Sequence, residues 1–517
     1  MSMLCLVTLC PRPLVTWSPR NLVSSSPRIL DVAREAQSGL PAWKPADLPA
    51  PPNPRGRQWI GVVGPGVIVL GLSIGSGEFL LGPAVFVKYG LTLLWVTVVS
   101  VFLQTIFNTE LMRYTVATGE PVFTGFMRTR PSSTFWAIVY SILYFLQAGW
   151  PAWAATAAGA IFFLFEGRLA TAPDASAVFQ IGVGTFFVAV AMLAVGRRIE
   201  RTLELLNWVL LTVILGSFFV LAILYVPAPV WAGAAGGVAG FNPSSGAFEL
   251  FPPGMDLVLL ASLVAYSGAG GIANVALSNW ARDRGYGMGE RVGFIAGAVG
   301  GHKTRLEHTG FMFDPTPENM ARYRGWWRIV RADQWGVFFC GGLLGMILPA
   351  MLYVTFVPSG DDIRGLGIAA ALAANIGAQG GAILSKIVAV LGAWMLFKTQ
   401  LDQMDGMVRS LTDILWTGND KLRAWRGGDV RAIYYAVLAA VVVWGIVALR
   451  IAQPIALLMI GANVAGVIFI ITSLHLLYVN TVLLPAALRP PTWRRALLVF
   501  MAVFYGAFSW LSISSVL

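Results

Sequence analysis

A single carboxylate stands out in the first long apolar run of the chain. Glu78 follows Gly75, Ser76 and Gly77 within GPGVIVLGLSIGSGEFLLGPAVFVKYG. A charge at such depth is costly unless a cation, a proton or a substrate amine neutralises it. Glycine disfavours a helix interior by about 1 kcal/mol per residue. The cluster therefore predicts unwound backbone, tolerated in hydrocarbon only where protein or a hydrated cavity satisfies it. A second cluster, Ser267, Gly268, Ala269, Gly270 and Gly271, interrupts another apolar run between Tyr266 and Asn274. The candidate substrate site is thus Gly75, Ser76, Gly77, Glu78, Tyr266, Ser267, Gly268, Gly270, Gly271 and Asn274, with Glu78 the candidate metal ligand. The competing readings are plainer. Glycines also serve close helix–helix contact, Glu78 could pair with a backbone amide or Lys88, and Asn274 with Ser278 could form a polar contact between helices.

Further along, Lys386, Lys398, Asp402 and Asp405 share one apolar stretch. Lys398 and Asp402 are four residues apart, on one helical face. They are coupling candidates, with Lys398 as a fixed positive charge and Asp402 as its counter-ion or a proton acceptor. The alternative is an ion pair at a helix end reaching water, as expected of Lys386. Glu110 and Arg113 read as structural partners, Asn480 as a lower-ranked cavity residue, and His475 as a satisfied packing residue. His302, His308 and His475 form no ligand spacing with Cys5, Cys10 or Cys340, and Cys340 reads as a small core residue. No nucleophile–base set, zinc motif or nucleotide fingerprint appears. Neither an enzyme nor a cofactor is expected.

The elements that must hold these residues follow from composition. Of 517 residues 57% are hydrophobic and 12% charged, about half the charge of a soluble domain. Eleven candidate spans fall near 60–88, 92–115, 134–165, 176–196, 203–226, 256–280, 335–357, 380–408, 430–449, 454–484 and 496–516. Loops after the even spans are basic, as in Arg197, Arg198 and Arg201, or Lys303 and Arg305, or Arg494 and Arg495. On the other side Arg168, Arg364 and Arg450 stand nearly alone. The asymmetry predicts a multi-pass protein of a bacterial-type inner membrane with its N-terminus in the cytoplasm. It also accounts for the net charge of +11 without a nucleic-acid partner. The expected partners are the lipid bilayer and a transported ion or solute, and the sequence sets no oligomeric state.

The glycine breaks fall in spans one and six, equivalent positions in two five-span halves. Five is odd, so the second half is inverted, the pattern of a secondary transporter with a midplane site between discontinuous helices. The expected organisation is a disordered tail over 1–58, a first repeat over 59–226, an inverted repeat over 256–484 and an eleventh helix over 496–517. Within the second repeat a loop over 281–333 carries Glu318–Trp335, whose Arg and paired Trp326-Trp327 suit an interfacial helix on an anionic leaflet.

Ordered short motifs add a family. Gly64-Pro65-Gly66, Tyr89-Gly90, Gln104, Arg113 through Thr118-Gly119, Gly196-Arg197-Arg198-Ile199-Glu200 and Leu484-Pro485 occur in sequence over residues 60–515. In these the chain resembles the NRAMP divalent-metal transporters, which share the LeuT-type fold. The resemblance implies an all-α polytopic protein, a 5+5 inverted repeat of about eleven transmembrane helices with the first and sixth broken. It implies secondary active transport of a divalent metal cation by alternating access. In LeuT-type transporters span eight flanks a sodium site, and some sodium-independent members use a fixed lysine there, the part open to Lys398. The family's Asp-Pro-Gly-Asn metal motif aligns with Gly75, Ser76, Gly77 and Glu78, and its Met-Pro-His motif with Ser267–Gly271. Its acidic proton relay in span three is replaced by Gln147. Losing the thioether and keeping one carboxylate favours a hard cation over a soft one. The alternatives are a carrier of a small amino or carboxylic acid, and a non-transporting sensor or enzyme on the same fold.

Overall fold

Apolar runs of this length can satisfy their backbone in lipid only as helices. In the computed structural model, which describes residues 38–195, 199–243, 245–297, 306–360, 368–451 and 454–517, they do so. The expectations for Cys5, Cys10, Arg197, Arg198, His302, Lys303, Arg305 and Arg364 lie outside the described residues, as does the side chain of Ser76.

Among the described residues ten helices are long and apolar enough to cross a membrane: α1 (Pro65–Tyr89), α2 (Leu91–Thr118), α3 (Ser133–Glu166), α4 (Ala172–Ala194), α5 (Ile199–Tyr225), α7 (Pro317–Phe356), α8 (Ala382–Gly418), α9 (Val430–Ala448), α10 (Pro454–Leu483) and α11 (Thr492–Ser514). Between α5 and α7 the sixth element is split into α6a (Leu257–Tyr266) and α6b (Leu277–Asp283), with a single turn at Ile272–Val275 between them. The chain is an integral, multi-pass membrane protein. The apolar stretch of α1 is wholly buried, whereas only 28% of that of α5 and of α9 is, so α1 is central and those two face lipid. α1 packs against α5, α7 and α8.

The sixth element breaks where expected. The first departs from α-geometry in a different way. Pro65–Ser73 is α-helical, Ile74–Leu81 is a π-helix, and Gly82–Tyr89 is α-helical again. Residues 75–78 are therefore helical and not unwound. The physical reason is packing. A Cβ on Gly75 would lie 2.2 Å from Thr399 Oγ1, and one on Gly77 1.8 Å from the Tyr266 carbonyl oxygen. The glycines let three backbones approach, and the π-turn keeps their hydrogen bonds within the helix.

α3 is itself interrupted. Ser133–Ala148 and Ala152–Glu166 are separate helices joined through Gly149-Trp150-Pro151. Trp444 Nε1 donates to the Gly149 carbonyl at 2.7 Å. Cys340, expected in the core, is exposed on α7.

Residues 38–58 form a strap across the basic face, in place of the disorder expected there. Lys44–Pro45 pairs in parallel with Phe311–Met312, and Leu48 is fully buried. Arg322 donates to the Leu48 carbonyl at 2.7 Å and Trp326 to that of Pro49 at 2.9 Å. The strap's prolines limit the freedom lost on docking, and Leu40, Trp43 and Leu48 supply its apolar anchors. Trp326 is thus buried against the strap, and Trp327 lies between Arg113 and Arg494 at 4.3 and 5.1 Å. Neither ring has the free headgroup position expected of an interfacial helix.

Candidate functional site

Three glycines let the sixth element turn at mid-depth. Gly268, Gly270 and Gly271 have φ of 109°, 84° and 51°, where a Cβ is strained. The backbone groups so freed need partners, and two glutamines provide them. Gln104 of α2 donates through Nε2 to the Ser267 carbonyl at 2.7 Å and accepts from the Gly270 amide at 3.3 Å. Gln147 of α3 donates to the Gly270 carbonyl and accepts from the Ile272 amide, both at 2.8 Å. A carboxamide suits this position because it offers a donor and an acceptor at once. In the sequence Gln104 is visible only as part of a motif and Gln147 only in place of an acid, so neither role is legible there.

Glu78 faces this break from α1. It is fully buried, Ser73 Oγ donates to its Oε1 at 2.9 Å, and the Gly268 amide lies beside the carboxylate. Its Oε2 has no hydrogen-bond partner. Lys88, the alternative partner, sits at the far end of α1 over the Tyr89 ring. Tyr266 closes α6a, its ring 6.3 Å from that of Trp153 and its carbonyl against Gly77.

Lys398 and Asp402 do not reach water. Both are fully buried, and Lys398 Nζ lies 3.2 Å from Asp402 and 3.0 Å from Asn207 Oδ1. Asn207 Nδ2 completes the triangle by donating to Asp402 at 3.0 Å. The group presses on Gly71 of α1, where a Cβ would lie 1.7 Å from Asn207 Oδ1. Thr399 Oγ1 donates to the Gly71 carbonyl at 3.1 Å. Lys398 offsets Asp402 in charge and also acts electrostatically on Glu78.

Other candidates fall elsewhere. Asn274 donates to Asn108 at 2.9 Å and Ser278 accepts from the Val122 amide at 3.0 Å, both polar contacts between elements. Asn480 donates to the Glu110 carbonyl at 2.9 Å, in a cluster where Arg113 and Arg494 flank the Glu110 carboxylate at 2.6 and 2.9 Å. It lines that cluster and not the break. His475 bonds Thr129 and Tyr140 through its two ring nitrogens at 2.8 and 2.7 Å and stacks on Phe126, a satisfied packing residue. Among the described residues no three His, Cys, Asp or Glu side chains gather as a metal-holding group.

The basic end of the site is latched. Asp333 of α7 accepts from the Gly64 and Gly66 amides at 2.9 and 2.8 Å, holding the start of α1. Arg282 of α6b binds Asp413 of α8 at 2.8 Å, and Arg409 bridges Asp405 and Asp283. Tyr434 and Trp280 donate to the same Asp405 at 2.6 and 2.7 Å.

No protein-family model matches the chain, and no curated protein does. Among solved structures it is similar to the manganese transporter of Eremococcus coleocola in complex with an aromatic bis-isothiourea substituted compound. The two superpose with a TM-score of 0.60 at 17% identity, covering 90% of this chain and 89% of that one. Single-residue mutants of the same transporter give a TM-score of 0.60 at 16% identity, with the same coverage. The chain has an NRAMP-like fold. The helical arrangement that the resemblance implies is borne out, apart from the break expected in the first helix, and identity this low carries fold alone. Within that NRAMP-like frame the sixth-element break, Glu78 and Lys398 occupy the centre.

Proposed function

We propose that the chain is a secondary active transporter that carries a divalent cation by alternating access. The observation that supports this reading is Glu78. A fully buried carboxylate with one unpartnered oxygen lies beside a broken helix, and Lys398 is already offset by Asp402. Such a charge needs a cation or a proton to occupy its position stably. Glu78 with backbone oxygens of the break would suit a hard, partly hydrated ion. Lys398 and Asp402, touching α1 at Gly71, are the groups through which a proton or fixed charge would bias its motion. The gathering of arginines on the strap face supports a cytoplasmic N-terminus.

The test is uptake into proteoliposomes of Mg²⁺ and Mn²⁺, alongside a panel of amino and carboxylic acids. Saturable divalent uptake, with Mn²⁺ taken up no better than Mg²⁺, is the expected result. Accumulation of an organic acid with no divalent flux would replace the cation reading.

A further inference from the structure

A mostly apolar cavity lies among α3, α4, α8 and α9, at the interruption of α3. Its volume is about 40 Å³. That is room for a solute of a few heavy atoms. Trp150, Trp153 and Trp444 line it together with Met404, Gln400 and Gln403. None of the lining residues carries an ionisable side chain.

Its polar groups lack partners. Gln403 is 4% exposed, and neither its Nε2 nor its Oε1 makes a hydrogen bond. Gln400 Oε1 and Trp153 Nε1, 3% and 4% exposed, are likewise unpartnered. Buried amides left unpaired are destabilising, and native interiors rarely keep them so without an occupant. Residues that line the cavity thus hold two unpartnered donors, Gln403 Nε2 and Trp153 Nε1, and two unpartnered acceptors, Gln403 Oε1 and Gln400 Oε1. The surrounding tryptophan faces favour a planar occupant, and Met404 can adjust to its outline.

We propose that this cavity is a binding site for a small, uncharged, planar amide-like solute, held by Gln403, Gln400 and Trp153. A carboxamide or urea-like group carries a donor and an acceptor side by side, matching Gln403. A charged species is disfavoured because no counter-charge lines the cavity. The site is separate from Glu78, with the Trp153 ring between the cavity and Tyr266. The inference therefore holds or fails independently of the cation reading.

The test is equilibrium binding of radiolabelled acetamide to the full-length protein in lipid nanodiscs, with acetate as the charged control of equal size. Acetamide should bind saturably, Gln403→Leu should weaken it at least tenfold, and acetate should not compete. Trp153→Phe, which removes one N–H and keeps an aromatic ring, should weaken binding at least threefold and serves if Gln403→Leu does not fold. Absence of saturable binding would leave water as the occupant and overturn the proposal. Unchanged affinity in either folded variant, or acetate competing as well as acetamide, would overturn it too.

Discussion

Gly77 of α1 lies so close to Tyr266 of α6a that a Cβ on it would sit 1.8 Å from the Tyr266 carbonyl oxygen. Backbone cannot yield as a side-chain tip can. Gly77→Ala should therefore destabilise the protein by about 1–3 kcal/mol or more. Gly184→Ala, where a Cβ meets nothing within 4 Å, should be neutral or slightly stabilising. Melting temperatures in one detergent would compare them, and equal losses in both would show that the contact is not tight.

Glu78→Gln keeps the shape of the side chain and removes its charge. Folding should survive, because Ser73 can still donate to the retained oxygen. Divalent uptake per folded molecule should drop at least tenfold. A variant that transports normally but melts earlier would assign Glu78 a structural role.

Removing Lys398 alone strands Asp402 and Asn207 in a dry environment. Breaking a fully buried pair in this way costs about 3–5 kcal/mol, so Lys398→Met should be strongly destabilised. Lys398→Met combined with Asp402→Leu should lose much less than the two single changes added together. Additive losses in a double-mutant cycle would show the two charges to be independent.

Gln147→Leu leaves the Gly270 carbonyl and the Ile272 amide unpaired. Each orphaned group costs about 1–3 kcal/mol. Gln147→Glu is milder, since a carboxyl kept protonated at this buried site still accepts from Ile272 and can donate its single O–H to Gly270. Chemical or thermal unfolding should rank wild type above Gln147→Glu, and that above Gln147→Leu.

The basic face should be acid-sensitive through Glu120. Burial pushes this carboxyl up, but the Arg128 guanidinium, the Tyr114 hydroxyl and the Gly310 amide outweigh it and hold it below its ordinary value. A carboxyl depressed in the folded state binds its proton more readily when unfolded. Its stabilisation is complete above the ordinary value of 4.5 and is lost as pH falls through the lower folded value. Glu120→Gln should flatten the decline of melting temperature below pH 4.5 relative to wild type. A parallel decline in both proteins would assign the acid sensitivity to other groups.

Much of this architecture is legible in residue order alone. Apolar length marks the helices, and glycines five spans apart mark the inverted halves. Gly268, Gly270 and Gly271 are legible as a break because glycine disfavours a helix interior, and their three positive φ values agree with it. Gly75 and Gly77 carry the same signal but serve contact, because the residues they must admit, Thr399 and Tyr266, are distant in sequence. A π-turn has no composition of its own to betray it. Gln147 looked like the loss of a proton relay, and its use becomes visible only once the Gly270 carbonyl and Ile272 amide are in place. The strap's prolines point to disorder, although Leu40, Trp43 and Leu48 at short intervals are the signal that it docks.

The strap also fixes how far the basic end of α1 can travel. Between its buried Pro54 and Gly64 the chain contains a five-residue helix, Gln58–Val62. Unwinding five residues from helical to extended rise lengthens a chain by about 9 Å. That short helix is slack on a leash. Once Asp333 releases the Gly64 and Gly66 amides, and Arg284 and Tyr286 let go of the Gly61 and Val62 carbonyls, α1 can swing by about that distance with the strap still in place. Any longer excursion must pull Pro54 from its buried place and expose it to water.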